Sequence, residues 1–350
     1  MTSKQDKIKN FDPNDLGDRN NNIFGLPYTT NEAEIVFLPV PWEVTVSYGG
    51  GTVNGPEAIF DASFQVDLFD PKVKDAWKIG YAMDTMPKEL KTKSKNLRKK
   101  AEAFIRALEA GKVTKQQHAI QKEVNAECEK MNAYVKSKSK SFLTKNKIVG
   151  LVGGDHSTPL GLMQALSEKH KSFAILQIDA HADLRDAYEG FTYSHASIMF
   201  NALKIKNISK LVQVGIRDYC EDEVNIINNS KGRVKTYFDK DIKHAQYKGK
   251  TWNAICTDII KQLPELIYIS FDIDGLDPKL CPNTGTPVAG GFEFEQAVYL
   301  IEKLVDAGKK IISFDINEVS PSKDEWDANV GARLLYRIAN LAALSNGKHN

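Results

Sequence analysis

The chain has 350 residues, 42% hydrophobic and 26% charged, which excludes a disordered, fibrous or collagen-like protein. Lysine and arginine number 47 against 45 aspartates and glutamates, a formal net charge of +2, so no global field draws nucleic acid or a membrane surface. No apolar run approaches the ~20 residues that span a bilayer, and the polar N-terminus lacks a signal core. Cys128, Cys220, Cys256 and Cys281 form no C-x-x-C pair. A cytoplasmic protein with reduced thiols and no thiolate zinc site is expected.

Residues 1–32 read as an irregular, Asn- and Asp-rich arm. A first strand is predicted at Glu34–Pro39. The glycine-rich turn Y-G-G-G-T-V-N-G-P (48–56) then enters a helix near Glu57. It matches neither G-x-G-x-x-G nor a P-loop, so it reads as a tight strand-to-helix connection, not a phosphate cradle. Residues 87–146 are Lys-rich and helix-favouring. Ala101, Phe104, Ile105 and Leu108 follow the i, i+3, i+4, i+7 rule, so one stripe packs inward and the lysines form solvated faces.

From Ile148 short apolar runs alternate with helical stretches. I-V-G-L-V, F-A-I-L-Q-I, L-V-Q-V-G-I, L-I-Y-I-S-F-D-I and I-I-S-F-D-I are the predicted strands. Leu160–His170, His195–Leu203, Asp222–Asn229, Trp252–Gln262 and Phe294–Ala307 are the predicted helices. Strands apolar on both faces, separated by helices, give a mostly parallel sheet covered on both sides. The reading is one α/β domain over residues 33–350, with its site at the carboxyl ends of the strands.

Acids and histidines stand where four of these runs end. I-V-G-L-V-G-G leads to Asp155-His156, and F-A-I-L-Q-I to Asp179-Ala180-His181-Ala182-Asp183. L-I-Y-I-S-F leads to Asp272-Ile273-Asp274, and I-I-S-F to Asp315, with Glu318 three residues on. Residues i, i+2 and i+4 of an extended segment share a face, so Asp179, His181 and Asp183 point one way, as do Asp272 and Asp274. With His156 these make four carboxylates and two imidazoles. Such carboxylates repel and take up protons unless cations neutralise them. Two divalent ions balance four negative charges. A donor set of oxygen and nitrogen without thiolate suits Mn²⁺ and tolerates Ni²⁺, Co²⁺, Fe²⁺ or Zn²⁺, whereas Mg²⁺ rarely takes imidazole. One D-x-H-x-D would serve equally as a cap or a salt-bridge cluster. Six such groups at buried strand ends are not explained by packing, because unpaired buried charge is costly.

V-G-G-D-H-S-T (152–158), Q-I-D-A-H-A-D (177–183) and S-F-D-I-D-G-L-D-P (270–278), followed by T-G-T-P-V-A-G-G (284–291), resemble the ordered motifs of the ureohydrolase family of arginases, agmatinases and guanidinobutyrases. The resemblance runs from about Ile35 to the C-terminus and is weakest over 87–146. Pro159 and Asn283 depart from the family's small residues, at positions that are not ligands. The resemblance implies a three-layer α/β/α, arginase-like fold and two Mn²⁺ per chain, with Ni²⁺ as an alternative. One metal would take His156, Asp179, Asp183 and Asp272. The other would take His181, Asp179, Asp272 and Asp274. The pair would supply a strong nucleophile at neutral pH to attack a guanidinium carbon.

The implied partner is a small cationic guanidino substrate, cut to urea and an amine, with no nucleic acid or membrane partner and a homo-oligomer of open order. Glu318, in D-I-N-E-V-S-P, resembles the family's guanidinium-pairing glutamate. His195, in Y-S-H-A-S, matches a substrate-loop histidine that shuttles protons at a pKa near neutrality. Its alternative role is in capping a helix at Ser194 or Thr192. His118, His170, His244 and His349 are assigned nothing. The loop Leu184–Ser194 lacks the arginase pattern that holds an α-carboxylate, and D-L-R-D-x-Y-E-G resembles agmatinase-like members. Agmatine is therefore the expected substrate, with Asp186 and Glu189 receiving its distal amine. Guanidine is the alternative, with Tyr188, Phe191, Tyr193 and the N-terminal arm closing the pocket; guanidinobutyrate is another. Formiminoglutamate fits less well because the histidine loop is kept. A catalytically silent scaffold would have lost ligands, and a zinc deacetylase of related fold would need only one metal.

Overall fold

The apolar runs assemble into one eight-stranded sheet in the computed structural model, which describes residues 3–321 and 323–348. His349, Met1, Thr2 and Asn350 lie outside the described residues. In chain order the elements begin with α1 (Lys4–Asn10), β1 (Ile35–Val40), α2 (Gly55–Ser63), β2 (Tyr81–Met83), α3 (Lys88–Glu109) and α4 (Lys115–Leu143). Next come β3 (Ile148–Gly153), α5 (Leu160–Lys169), β4 (Phe173–Ile178), α6 (Ile198–Ala202), β5 (Ile208–Ile216), α7 (Glu221–Asn229), β6 (Val234–Phe238) and α8 (Asp239–Tyr247). The chain continues through α9 (Trp252–Ile260), β7 (Leu266–Asp272), α10 (Phe294–Asp306), β8 (Lys310–Asn317) and α11 (Trp326–Ser345). No helix among the described residues is long and apolar enough to cross a membrane.

Strand order is β2-β1-β3-β8-β7-β4-β5-β6, and every pairing is parallel. Both faces are apolar, as parallel sheets require. Ile59 of α2, Ile242 of α8, Ile255 of α9, Val298 of α10 and Leu334 of α11 pack with Phe37, Leu176 and Ile269 on one face. Leu97 of α3, Val135 of α4, Leu162 of α5 and Met199 of α6 pack with Leu38, Leu151 and Ile175 on the other. These are the three layers of an α/β/α fold.

Within the N-terminal arm, residues 4–10 form the short helix α1 and much of the rest is turn and loop. Ser3 and Asp6 form a capping box for α1, and Phe24 packs edge-on against Phe37, Tyr81 and Tyr336. In the Lys-rich region Ala101, Phe104 and Ile105 are buried as predicted, but Leu108 is 42% exposed. The lysines pair with surface acids, as in Lys91–Glu57, Lys100–Glu123 and Lys140–Glu168. Each such exposed pair contributes only about 0–1 kcal/mol, so the buried stripe anchors these helices.

The Y-G-G-G turn does bind an anion, but an internal one. The Glu43 carboxylate accepts from the backbone of Gly51 and Val53 and from the Thr52 hydroxyl, at 2.8–3.1 Å. At the crossing of α4 and α5, Gly161 lets the helices touch: a Cβ there would lie 2.2 Å from the Asn132 carbonyl oxygen. Gly161→Val should therefore lower stability by about 1–3 kcal/mol, the range for overpacking, measured as a lower thermal midpoint with the fold retained.

Candidate metal centre

The site lies where four adjacent strands, β3, β8, β7 and β4, end. These strands bring their C-terminal residues together although β3 and β4 are separated in the sheet by strands from the end of the chain. A ligand site at such a break in strand order is general for open α/β sheets. His156 follows β3, Asp179 follows β4, Asp272 closes β7 and Glu318 follows β8.

The spacing argument holds for the convergence but not for its cause. The D-A-H-A-D segment is not extended. It bends at Ala180, and Asp183 has φ +54°. Asp274 sits in a short 3₁₀ turn (Ile273–Gly275), where its backbone N–H donates to Asp272 Oδ1 at 2.9 Å. Tight turns, not strand alternation, aim these carboxylates.

His156 Nδ1 lies 3.1 Å from Asp179 Oδ2, 3.1 Å from Asp183 Oδ2 and 3.3 Å from Asp272 Oδ2. His181 Nδ1 lies 3.0 Å from Asp274 Oδ2 and 3.7 Å from Asp179 Oδ1. The two groupings share Asp179, one oxygen to each. His156 Nδ1 and Asp274 Oδ2 are buried yet make no hydrogen bond despite this crowding. Atoms that crowd without hydrogen-bond geometry are aimed at a common centre. His156, Asp179 and Asp272, and separately Asp179, His181 and Asp274, each have ligand atoms mutually within 4.8 Å. The residues present fit two divalent cations.

Buried neighbours orient these groups. His156 Nε2 meets Ser270 Oγ at 2.9 Å, and Ser270 donates to Asp315 Oδ1 at 3.1 Å. Nε2 therefore carries the proton and the Nδ1 lone pair faces the centre. Asp315 was expected at a strand end but lies inside β8, paired with Ser270 of β7, and serves this relay. Arg217, which the sequence did not single out, donates to the carbonyls of Gly215, Asp274, Leu276 and Val288, fixing the Asp274 turn to the loop beyond it. Asn283, one of the two departures from the family pattern, binds Asp327 of α11 through its backbone and side chain at 2.9 and 3.0 Å.

Glu318 adopts φ +62°, a conformation unusual for a non-glycine residue and one that clusters at functional sites. Its Oε1 accepts from the His156 backbone N–H at 2.9 Å, while Oε2 is buried without a partner. Burial raises its pKa well above the usual range, with Asp272 and Asp155 adding to the effect.

A cleft of about 120 Å³ opens beside the cluster, lined by His181, Asp183, Arg185, Tyr188, His195 and Asp218, with Ser47, Tyr219 and Thr286. His195 is 9% exposed, and Ser194 makes no side-chain cap to the turn that follows. Its expected near-neutral pKa is corrected: burial, then the positive charges of His181, Arg98 and His156, pull it down to about 3. It is neutral at physiological pH.

Asp186 and Glu189 do not line this cleft. Asp186 faces the neighbouring groove with Phe200 and Asp222. Glu189 is half-buried, and burial followed by Glu109 of α3 raises its pKa. The turn that carries Glu189, at φ +50°, directs it toward that helix. Of the three aromatics, Tyr188 alone lines the cleft. Phe191 is core, packed on Phe104 at 5.4 Å, and Tyr193 packs into the same face. No residue of 3–32 lines the cleft.

The arginase family model matches residues 33–340. The chain belongs to the arginase family. It is a ureohydrolase, a hydrolase of amidino C–N bonds, in a family that depends on two metal ions. It is 30% identical over 328 residues to an N(1)-aminopropylagmatine ureohydrolase of Thermus thermophilus, covering 93% of this chain and 96% of that one. It is also 30% identical over 216 residues to an agmatinase of Neisseria meningitidis, covering 59% of this chain and 64% of that one. The fold matches the crystal structure of an agmatine ureohydrolase of Thermoplasma volcanium with a TM-score of 0.70 at 22% identity, covering 92% and 94% of the two chains.

Removal of metal should expose the strain of these buried charges. Burial raises Asp183 to about 7 and Asp155 and Asp315 to about 6. Acids with raised folded pKa values stabilise the fold while protonated, and that contribution is lost as pH rises through those values. Burial would lower His156 and His181, but the surrounding carboxylates outweigh it and raise both. Their contribution is also lost with rising pH, above their unfolded value. His195 opposes this trend only below about pH 6.5. The thermal midpoint of chelator-stripped protein should therefore fall between about pH 6 and 8. Added Mn²⁺ should raise it more at the upper pH. Calorimetry at the two pH values checks this, and a midpoint that rises with pH in the stripped protein would refute it.

Proposed function

We propose that the chain hydrolyses a decarboxylated, cationic guanidino compound of the agmatine type to urea and an amine, using two Mn²⁺ ions. The observation that carries this reading is the buried, unpartnered Oε2 of Glu318 beside the clustered acids. A buried carboxylate oxygen needs a cationic donor, and a guanidinium has a matching fork of N–H groups. The metals, when bound by His156, Asp179, His181, Asp183, Asp272 and Asp274, supply a nucleophile strong enough at neutral pH for a poorly electrophilic carbon.

The chain's own residues do the rest. Glu318 holds the guanidinium, with its Oε1 already anchored on the His156 N–H. His195, neutral before the reaction, carries a proton toward the leaving amine. Asp218, whose side chain is 68% exposed at the cleft, pairs with a distal ammonium. Arg185 lies 4.6 Å from the Tyr188 ring, so its charge is stacked on the cleft wall. An aminopropyl-extended agmatine is the second reading, favoured by the near full-length likeness to the Thermus thermophilus protein.

Urea release across agmatine, N(1)-aminopropylagmatine, guanidinobutyrate, arginine and guanidine tests the substrate. The first two should give a kcat/KM at least about tenfold above the rest, the equivalent of one lost charged contact. Guanidine or guanidinobutyrate as the best substrate would reject the cationic-tail reading.

Two variants test the roles. Glu318→Gln should lower kcat/KM by about 10² or more, because it leaves a desolvated guanidinium poorly paired. His195→Ala should lower kcat by about 10²–10⁴. Elemental analysis should find both variants with two metals per chain, whereas Asp179→Ala should lose both ions.

A further inference from the structure

We propose that Arg98, on the Lys-rich helix α3, is a positioning residue that holds one wall of the cleft against His195, and that the α3–α4 hairpin is the brace of the cleft. The proposal rests on the reading of His195 as a proton carrier.

Arg98 differs from the lysines around it. Its side chain is only 15% exposed, and its Nε pairs with Glu102 at 3.0 Å, one turn along the helix. Its Nη1 donates to the Val46 carbonyl and, at 3.4 Å, to that of Val44. Between these two carbonyls sits Thr45, which is buried beside the His195 imidazole. Ser47, next in the chain, lines the cleft. One turn earlier on α3, Ser94 Oγ receives the Glu43 N–H at 2.8 Å. The segment 43–46 has no sheet partner; the Val44 N–H donates to Asp155 Oδ2 at 3.2 Å and the Glu43 carboxylate holds the Gly51–Val53 turn, and α3 adds the contacts to the Glu43 N–H and the Val44 and Val46 carbonyls.

The other helix of the hairpin, α4, holds the loop between Tyr188 and His195. Gln121 and Asn125 of α4 donate to the Gly190 carbonyl at 2.6 and 3.2 Å, and Asn125 Oδ1 accepts from the Thr192 N–H at 2.9 Å. One hairpin thus contacts both the segment leading to Ser47 and the loop leading to His195. A guanidinium suits the first task because its planar fork reaches two carbonyls while its charge is met by one carboxylate. A lysine offers a single ammonium on a flexible stem.

A thermodynamic cycle tests this. Arg98→Met, Arg98→Lys, His195→Asn and the double variant Arg98→Met/His195→Asn are assayed as full-length, metal-loaded protein on agmatine, or on whichever guanidino compound of the panel releases most urea. Arg98→Met should lower kcat about tenfold, the scale of a misplaced proton carrier rather than an absent one, with KM moved less than about threefold. Arg98→Lys should recover part of that loss, and metal content should stay at two per chain. In the His195→Asn background, Arg98→Met should add almost nothing. An undiminished kcat in Arg98→Met, or a loss that adds in full to a slow His195→Asn enzyme, overturns the proposal alone. A His195→Asn enzyme as fast as the parent overturns the His195 reading and the proposal with it. If Arg98→Met does not fold, Arg98→Lys carries the same cycle.

Discussion

Four aspartates, a glutamate and two histidines share one buried volume at the carboxyl edge of the sheet, and only added positive charge lets them stay there ionised. At an effective dielectric of about 20, two like charges about 4 Å apart repel by roughly 4 kcal/mol. The imidazoles offset part of this. The Asp179 carboxyl would be raised by burial, yet His156 and His181 beside it hold it below its usual range. Asp183 and Asp272 are instead pushed up, by burial and by the acids beside them. The centre is thus a place where protonation and metal binding compete for the same lone pairs.

Much of the surrounding structure keeps that repulsion from deforming the backbone. Asp274 Oδ1 accepts from the Ala180 N–H, Asp179 Oδ1 from the His181 N–H and Asp179 Oδ2 from Gln177 Nε2, at 2.6–3.0 Å. Gln177 is fixed in turn by Gln213 of the neighbouring strand. Donors thus steady both oxygens of Asp179, while Asp274, held through Oδ1, keeps Oδ2 for the centre. Arg217 fixes the main chain of the Asp274 turn, and the Ser270–Asp315 pair fixes a ring. The same rule of a rigid scaffold behind a mobile charge applies to the cleft, where Arg98, Gln121 and Asn125 reach across from helices outside the sheet.

The strands that carry ligands were legible because burial on both faces leaves continuous apolar runs, and charged residues closing such runs are conspicuous. β6 (Val234–Phe238) was missed because only one end of V-K-T-Y-F is buried, and β2 because three residues make no pattern. Helix α11 was missed because its period is faint: most of its surface is buried, and only the narrow stripe of Asn329, Arg333 and Arg337 marks an outer face. Residue identity pointed to His156, Asp179, His181, Asp183, Asp272, Asp274 and Glu318, which the fold brings to one edge of the sheet. Asp186 and Glu189 lie outside the cleft beside the cluster, and the left-handed turn at Glu189 is not announced by D-A-Y-E-G. The work of Arg98, Arg217 and Glu43 was also illegible. Arg98 and Arg217 contact backbone carbonyls in segments remote in sequence and Glu43 the N–H groups of a nearby turn, and a backbone carbonyl or N–H has no side-chain signature.

The strand order has a consequence for how the chain acquires its structure. β3 and β4 are made early, but the slots between them belong to β7 and β8, which are made in the last quarter of the chain. Until β7 and β8 have been made, β3 and β4 have no strands to join them into one continuous sheet. Insertion of β8 and β7 joins both halves of the sheet and brings Asp272, Asp274 and Glu318 to the ligands already present. Closing such sequence-distant pairings is slow, and it leaves unpaired apolar strand edges exposed until the end. The ions therefore meet a complete set of ligands only in the finished chain, where their binding seals the step that folding completes last.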